Sequence, residues 1–254
     1  MTAKLSLGIA AAAGPELARR VAPAAEAAGF HALWVNDTPG QDALAVLAAA
    51  AAVTERLVLA TGVLPVDRRT PDEIAADASG LPAARLVLGI GSGQARTGAV
   101  ELVTDAATAL RRRTGARVLV GALGPRMRRA GATASDGLLL SWLTPRVAAE
   151  QAAQTHATAP GAHVALYVRA AADAAAVAPL DEEAARYAGY PAYAANFARL
   201  GLDVADTVIR PADLGDRIAA YRAGVDEVVL RAITPTGSAD DHLRFIDAVA
   251  AAIA

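Results

Sequence analysis

Eight short apolar runs, separated by helical stretches, constrain this chain more than any other feature. They are Leu5–Ile9, Ala32–Val35, Leu57–Thr61, Arg85–Ile90, Val118–Val120, Leu138–Ser141, Val164–Arg169 and Asp226–Arg231. Most of them do not alternate apolar with polar residues. A strand with one face in water alternates; a continuous run marks a strand buried on both faces, as in a parallel sheet covered by helices. Between the runs the sequence predicts helices over Glu16–Ala28, Asp42–Val53 and Val100–Arg113, from Pro125 to Ala132, after Thr144-Pro145, and over Asp240–Ile253. Thr70-Pro71-Asp72-Glu73 has the form of a capping box, with proline at the first helical position where its missing N–H costs nothing. Leu243, Ile246, Val249 and Ile253 form one stripe on the closing helix. After Ala170 the rhythm gives way to a long, mostly helical stretch before the last strand. Eight strands, each followed by a helix, predict an α/β fold of the (β/α)8 TIM-barrel kind, one domain over residues 1–254. A doubly wound open sheet is the alternative. It would carry its glycine fingerprint at the first strand–helix turn, where this chain has AAAAGP.

Composition removes several function classes. The formal net charge of -2 gives no electrostatic footprint for nucleic acid. With no cysteine, disulfides and thiolate metal sites are excluded. Lys4 is the only lysine, so no internal lysine serves as a Schiff base or a P-loop cation. The longest apolar run, Ala43–Val53, is far below the ~20 residues a membrane helix needs. The N-terminus superficially resembles a signal peptide, but Leu5–Ile9 is better used as the first barrel strand, so a cytoplasmic, non-membrane protein is expected.

In barrels of this kind, function sits at the C-terminal ends of the strands. Those ends carry Asn36, Asp37 and Thr38; Thr61, Gly62 and Val63; Gly91, Ser92, Gly93 and Gln94; Gly121 and Gly124; Ser141, Trp142 and Thr144; Arg169; and Arg231 with Thr234. Glycines let a ligand approach the backbone, and strong acids or bases are few. The rim suits a large planar cofactor better than a hydrolytic centre. Within VLVGALGPRMRRAGATASDGLLLSW, the turn at Gly121, Gly124 and Pro125 opens a helix carrying Arg126, Arg128 and Arg129. A turn at a helix N-terminus with positive charge behind it suits a phosphate. The chain has no GxSxG, HExxH or Walker sequence. His31, His156, His163 and His242 are scattered and are assigned structural or surface roles. Asp37, the only carboxylate immediately after an early strand, is either a cap for the next helix or a ligand contact.

Four segments in order, AEAAGFHALWVND, RLVLATGVLPVDRRTPDEIA, RLVLGIGSG and GALGPRMRRAGATASDGLLLSWLTP, make the chain resemble the luciferase-like flavin and deazaflavin oxidoreductases. Its alanine- and arginine-rich composition is similar to that of actinobacterial members, many of which use coenzyme F420 in place of FMN. The resemblance implies a luciferase-like barrel, a small-molecule substrate and a homodimer. It also implies a non-proline cis peptide after strand 3, here Gly62–Val63, backing the cofactor ring. Carried over to this sequence, the cofactor contacts are Asp37, Thr61, Gly62, Val63, Gly91, Gly93, Gln94, Gly121, Gly124, Pro125, Arg126 and Trp142, with the phosphate at Gly124-Pro125. Asp37 and Gln94 are the candidate catalytic residues. The chain also departs from the family. Thr38 stands where many members have histidine, and Gln94 where some have a catalytic glutamate, which argues against a sugar-phosphate substrate. The expectation is an F420-dependent oxidoreductase transferring a hydride. An FMN-dependent monooxygenase and a non-catalytic flavin-binding protein on the same fold are the alternatives.

Overall fold

A computed structural model describes residues 3–253. The expected domain limits of 1 and 254 lie just outside it. The strands are β1 (Lys4–Ala10), β2 (Ala32–Asn36), β3 (Val58–Thr61), β4 (Leu64–Pro65), β5 (Leu86–Gly91), β6 (Arg117–Gly121), β7 (Gly137–Ser141), β8 (His163–Ala170) and β9 (Glu227–Ala232). All pairings are parallel, in the order β3-β2-β1-β9-β8-β7-β6-β5-β4, and a β3–β5 pairing closes the sheet. The two-residue β4 resumes the path of β3 and pairs Leu64 with Ile90. The result is the expected closed eight-stranded α/β barrel. The sequence does not announce β4, because two residues carry no period.

Helices cover the outside: α1 (Gly14–Ala27), α2 (Ala43–Ala51), α3 (Pro71–Ala78), α4 (Ala99–Thr114), α5 (Pro125–Ala134), α6 (Pro145–Thr158), α7 (Val177–Ala188), α8 (Pro191–Leu200), α9 (Leu214–Arg222) and α10 (Ala239–Ile253). The helical stretch after Ala170 is resolved into α7, α8 and α9. Local chemistry starts these helices where the sequence places them. Thr70 accepts from the Glu73 amide while the Glu73 carboxylate accepts from the Thr70 amide, completing the capping box of α3. The Asp42 carboxylate accepts from the Leu44 amide at the start of α2.

Burial of both strand faces explains the unbroken apolar runs. Leu33 and Val35 of β2 pack outward against the helices, in one cluster with Leu7, Leu47 and Leu88. Ala32 and Trp34 point inward and join Ala60, Val87, Leu119, Leu139, Ala165, Tyr167 and Val229 in the barrel interior. The two-residue side-chain period holds for each strand.

The same period puts one carboxylate inside. Glu227, two residues before Val229, is 2% exposed. It accepts from Ser6 Oγ at 2.6 Å and Trp34 Nε1 at 2.7 Å, and its other oxygen lies 2.8 Å from His163 Nε2. Burial pushes its pKa up, but the His163 and Ser6 hydrogen bonds outweigh that and hold it below the ordinary glutamate value. This network sits at the N-terminal end of the barrel, opposite the end where ligands bind in such folds. Among the described residues no helix is long and apolar enough to cross a membrane.

Candidate active site

At the C-terminal mouth, the inward positions divide into two arcs. One arc is almost bare: Gly62 after β3, Gly91 at the end of β5 and Gly121 at the end of β6. A Cβ at Gly91 would stand 2.7 Å from Val63 Cγ2, and one at Gly121 would stand 2.9 Å from Val63 Cγ1. Real side chains do not approach so closely, so these two glycines make room for Val63, which forms the floor of this arc. The Gly62–Val63 peptide is cis. Asn36 Nδ2 donates to the Gly62 carbonyl, and the Tyr167 hydroxyl donates to Asn36 Oδ1 at 2.6 Å. Burial pushes the Tyr167 pKa well above that of a free phenol, so this donor keeps its proton. Thr61 is fully buried, and its hydroxyl donates to the Gly89 carbonyl at 2.9 Å, within the barrel wall.

The other arc is cationic. Arg169 and Arg231 are register partners on β8 and β9. Glu183 of α7 reaches both: Arg169 Nε lies 3.1 Å from one oxygen, and Arg231 Nη2 lies 3.9 Å from the other. Arg186 stands 3.6 Å from the same carboxylate. Burial raises the pKa of Glu183, but Arg231 and Arg169 more than reverse it, so the carboxylate stays ionised. Arg169 also donates to Ser141 Oγ at 2.6 Å, and its guanidinium lies 4.0 Å above the Trp142 ring. Glu183 lies inside a helix with no motif around it, so nothing in the sequence marks it.

The two candidate catalytic residues flank the loop between β4 and α3. The Asp37 side chain is 6% exposed and lies 3.7 Å from Arg68 Nη2; one oxygen accepts from the Ala43 amide at 3.3 Å. Burial raises its pKa, only partly countered by that amide and by Arg69 and Arg68. Gln94 is exposed, and its backbone amide donates to Asp67 at 2.9 Å. Gly93 has a φ of 57°, and a Cβ there would fall 1.8 Å from Asp67 Oδ1, so a side chain would strain the backbone and displace the Asp67 carboxylate. The Thr38 hydroxyl, next to Asp37, is buried without a partner among the described residues.

Gly124 is the N-cap of α5, in extended conformation and without a side-chain cap, and Pro125 follows at the first position. The first helical bond runs from the Arg128 amide to the Gly124 carbonyl at 3.0 Å. The amides of Arg126 and Met127 precede that bond and have no partner within the helix. Space is open beside Gly124, with nothing within 4 Å of a Cβ built there. The Arg126 side chain is exposed. Arg128 is different: it is 9% exposed, and its guanidinium donates to the Leu123 carbonyl at 3.1 Å and to Gln154 Oε1 at 3.4 Å. Among the described residues no carboxylate pairs with it. Burial lowers its pKa, and Arg199 adds to the effect. It lines a groove of about 320 Å³ between α5 and α6.

Trp142 directly follows β7 with a φ of 58°, rare for a side chain of this size. The residue is 1% exposed, its ring covered by Arg169 and by Tyr187 at 4.8 Å and Phe197 at 6.3 Å, and Nε1 has no partner among the described residues. The mouth thus brings together Gly62, Val63, Gly91 and Gly121. Gly124, Pro125 and Arg126 lie on the neighbouring turn, Asp37, Gly93 and Gln94 lie around the loop before α3, and Trp142 lies beneath the aromatic side chains of α7 and α8.

The family model described as luciferase-like monooxygenase matches residues 2–113. No protein of curated function matches the chain. Among solved structures, a monooxygenase from Streptomyces bottropensis, RslO1, is similar with a TM-score of 0.73 at 18% identity, covering 98% of each chain. An F420-dependent secondary alcohol dehydrogenase, solved with an F420–acetone adduct, has a TM-score of 0.73 at 16% identity over 98% of this chain and 99% of its own. The coenzyme F420-dependent tetrahydromethanopterin reductase from Methanopyrus kandleri has a TM-score of 0.72 at 17% identity, again covering 98% of each. At such identities the likeness is one of fold. The family model spans β1 to α4, including the ends of β2, β3 and β5, which is less than half of the chain, and the solved structures share the closed barrel described above.

Proposed function

We propose that this protein is a flavin-type oxidoreductase, with an FMN-dependent monooxygenase as the leading reading. The observation that carries it is the pairing of a bare, Val63-floored arc with a buried guanidinium, beside the α5 N-terminus, that has no carboxylate partner among the described residues. The first accommodates a flat ring and the second an anionic tail. The residues present therefore fit a flavin phosphate: the amides of Arg126 and Met127 and the guanidinium of Arg128 would hold it. The monooxygenase description of the family model, which covers the β2, β3 and β5 ends, favours FMN.

When bound, such a cofactor supplies the two-electron chemistry. The chain's own residues bind and orient. Tyr167 holds Asn36, and Asn36 holds the Gly62 carbonyl, so the floor residue Val63 is fixed from behind. Glu183 neutralises part of the Arg169 and Arg231 charge and ties α7 to the barrel rim. The covering helices exclude water from Trp142 and its neighbours. Asp37 and Gln94 are proposed as ligand contacts at the loop before α3.

F420-dependent hydride transfer is the second reading, supported by two F420-dependent enzymes among the similar folds. Fluorescence titration of the purified protein with FMN and with F420 tests both. Saturable FMN binding with reductant-dependent oxygen uptake supports the first reading. F420 binding without FMN binding transfers the assignment to the second, and binding of neither overturns the proposal.

A further inference from the structure

The cationic arc opens into a second cavity, of about 480 Å³, bounded by the end of β1, by α7, by the end of β9 and by the start of α10. That volume is within the range of small-ligand sites. Its lining includes Arg186, Arg231, Thr234 and His242, none of which was assigned a binding role from the sequence.

His242 is 4% exposed. Its Nδ1 lies 2.8 Å from the Ser238 carbonyl. A carbonyl only accepts, so Nδ1 carries the proton and, in the neutral ring, Nε2 carries the lone pair. Burial lowers the His242 pKa, as does Arg231, with the Ser238 bond and Asp241 opposing, so the ring is neutral near pH 7. Nε2 makes no hydrogen bond to any described residue, although the ring borders the cavity. Nε2 is open to the cavity, where a ligand hydroxyl can donate to it.

The donors on the same wall are also incompletely used. A single carboxylate, Glu183, is shared by Arg169, Arg186 and Arg231, and the Arg231 contact at 3.9 Å is too long for a hydrogen bond. Arg231 otherwise donates to the carbonyl of Ala232. Glu182 also borders the cavity but is exposed to solvent. Thr234 Oγ1 accepts from the Gly237 amide at 3.2 Å, which leaves its hydroxyl hydrogen to donate. The Thr236 hydroxyl, by contrast, is committed to Asp241 at 2.6 Å.

We propose that this cavity is a binding site for a small hydroxy-carboxylate, its carboxylate held by Arg231, Arg186 and the Thr234 hydroxyl and its hydroxyl donating to His242 Nε2. Guanidinium groups and a threonine hydroxyl supply donors for the carboxylate, and the unprotonated imidazole nitrogen supplies the one acceptor a hydroxyl requires. The use of the site for a substrate rests on the flavin-type reading above; its occupancy by a hydroxy-carboxylate does not.

Nitrogen-15 NMR of the histidine side chains, on the purified protein without added cofactor, tests the proposal. Sodium lactate, 3-hydroxybutyrate and malate are titrated, with lactamide and sodium chloride as controls. At least one of the hydroxy-carboxylates shifts the His242 Nε2 resonance saturably, at about 1 mM or tighter, while the controls do not. Arg231→Gln weakens that binding by at least about tenfold. Arg186→Gln, a change at an exposed residue that leaves the fold intact by circular dichroism, weakens it several-fold and leaves FMN and F420 affinity unchanged. No saturable shift with any of the three acids overturns the proposal, as does an equal response to lactamide. Cofactor titration of the same samples reports separately on the flavin-type reading.

Discussion

Replacing Arg128 with methionine separates stability from cofactor binding. The guanidinium is 9% exposed, has no carboxylate partner among the described residues and feels Arg199. A buried charge of this kind costs several kcal/mol of desolvation. Its hydrogen bonds to the Leu123 carbonyl and Gln154 offset much of that, at about 1.5–3 kcal/mol for each bond from a charged donor. Methionine removes the penalty and the bonds together while keeping an unbranched side chain. The free protein should therefore stay within about 1 kcal/mol of the parent in urea titrations, or gain stability. Cofactor binding should move the other way. Losing one charge-assisted contact to a phosphate, about 1.5–3 kcal/mol, weakens affinity by about 10- to 150-fold. Added salt should also weaken the parent's cofactor binding more than the variant's, because screening acts on the charge that methionine lacks. A folded Arg128→Met protein that binds FMN or F420 as tightly as the parent would refute the placement of the phosphate.

Substitutions at three further positions probe the frame and the loop. Glu227→Ala strands Ser6, Trp34 and His163 inside the barrel and should cost about 3–5 kcal/mol in urea unfolding, with Glu227→Gln costing less; a loss below about 1 kcal/mol contradicts the network. Because the Glu227 pKa is lowered in the folded chain, its contribution is complete above the unfolded glutamate value and is lost as pH falls through the folded one, so the glutamine variant should show a flatter acid limb in stability against pH. The opposite sign applies to Asp37. Its raised pKa makes the ionised form a cost above that pKa, so Asp37→Asn should be the more stable protein at pH 7 and lose its advantage in acid; an Asn variant no more stable at pH 7 refutes the assignment. Gly93→Ala should destabilise the loop by about 1–3 kcal/mol, because alanine meets both the 57° φ and the Asp67 carboxylate; unchanged hydrogen exchange at the Gln94 amide would contradict it.

The barrel was legible because its strands are buried on both faces. Leu138, Leu139 and Leu140 are contiguous in sequence, yet Leu139 points into the barrel while its neighbours face the helices. A half-exposed sheet would have interrupted such a run with polar residues. The capping box at Thr70 was equally legible, because its two hydrogen bonds are local and need only the four residues that make them. The Glu227 network was not: Ser6, Trp34, His163 and Glu227 come from four strands and meet only when β1 closes on β9. Nothing in the residues around Glu227 distinguishes a carboxylate turned into a barrel from one turned into water.

The candidate site shows the same division between local and long-range information. The turn at Gly124 and the glycines at strand ends are local features, and the residue types alone point to close backbone approach and an uncapped helix. The selection among the arginines is not local. Arg126 and Arg128 both follow the turn, but the first is exposed and the second is buried against Gln154 of α6 with Arg199 nearby. Helix periodicity alone puts them on different faces; which face meets a neighbour is decided by the packing of α6. The assignment of Trp142 turns on a similar point. Its place at the end of β7 is sequence-local, whereas its cover comes from α7 and α8, whose Tyr187 and Phe197 lie 45 and 55 residues further on. Glu183 arrives on the same α7 and converts two adjacent strand-end arginines, which would repel each other, into a held pair. The α7–α8 insertion therefore does more than lengthen the chain. It covers one arc of the mouth, supplies its counter-charge and leaves the glycine arc bare, so the asymmetry that makes the mouth a candidate site comes from the stretch where the strand–helix rhythm is broken.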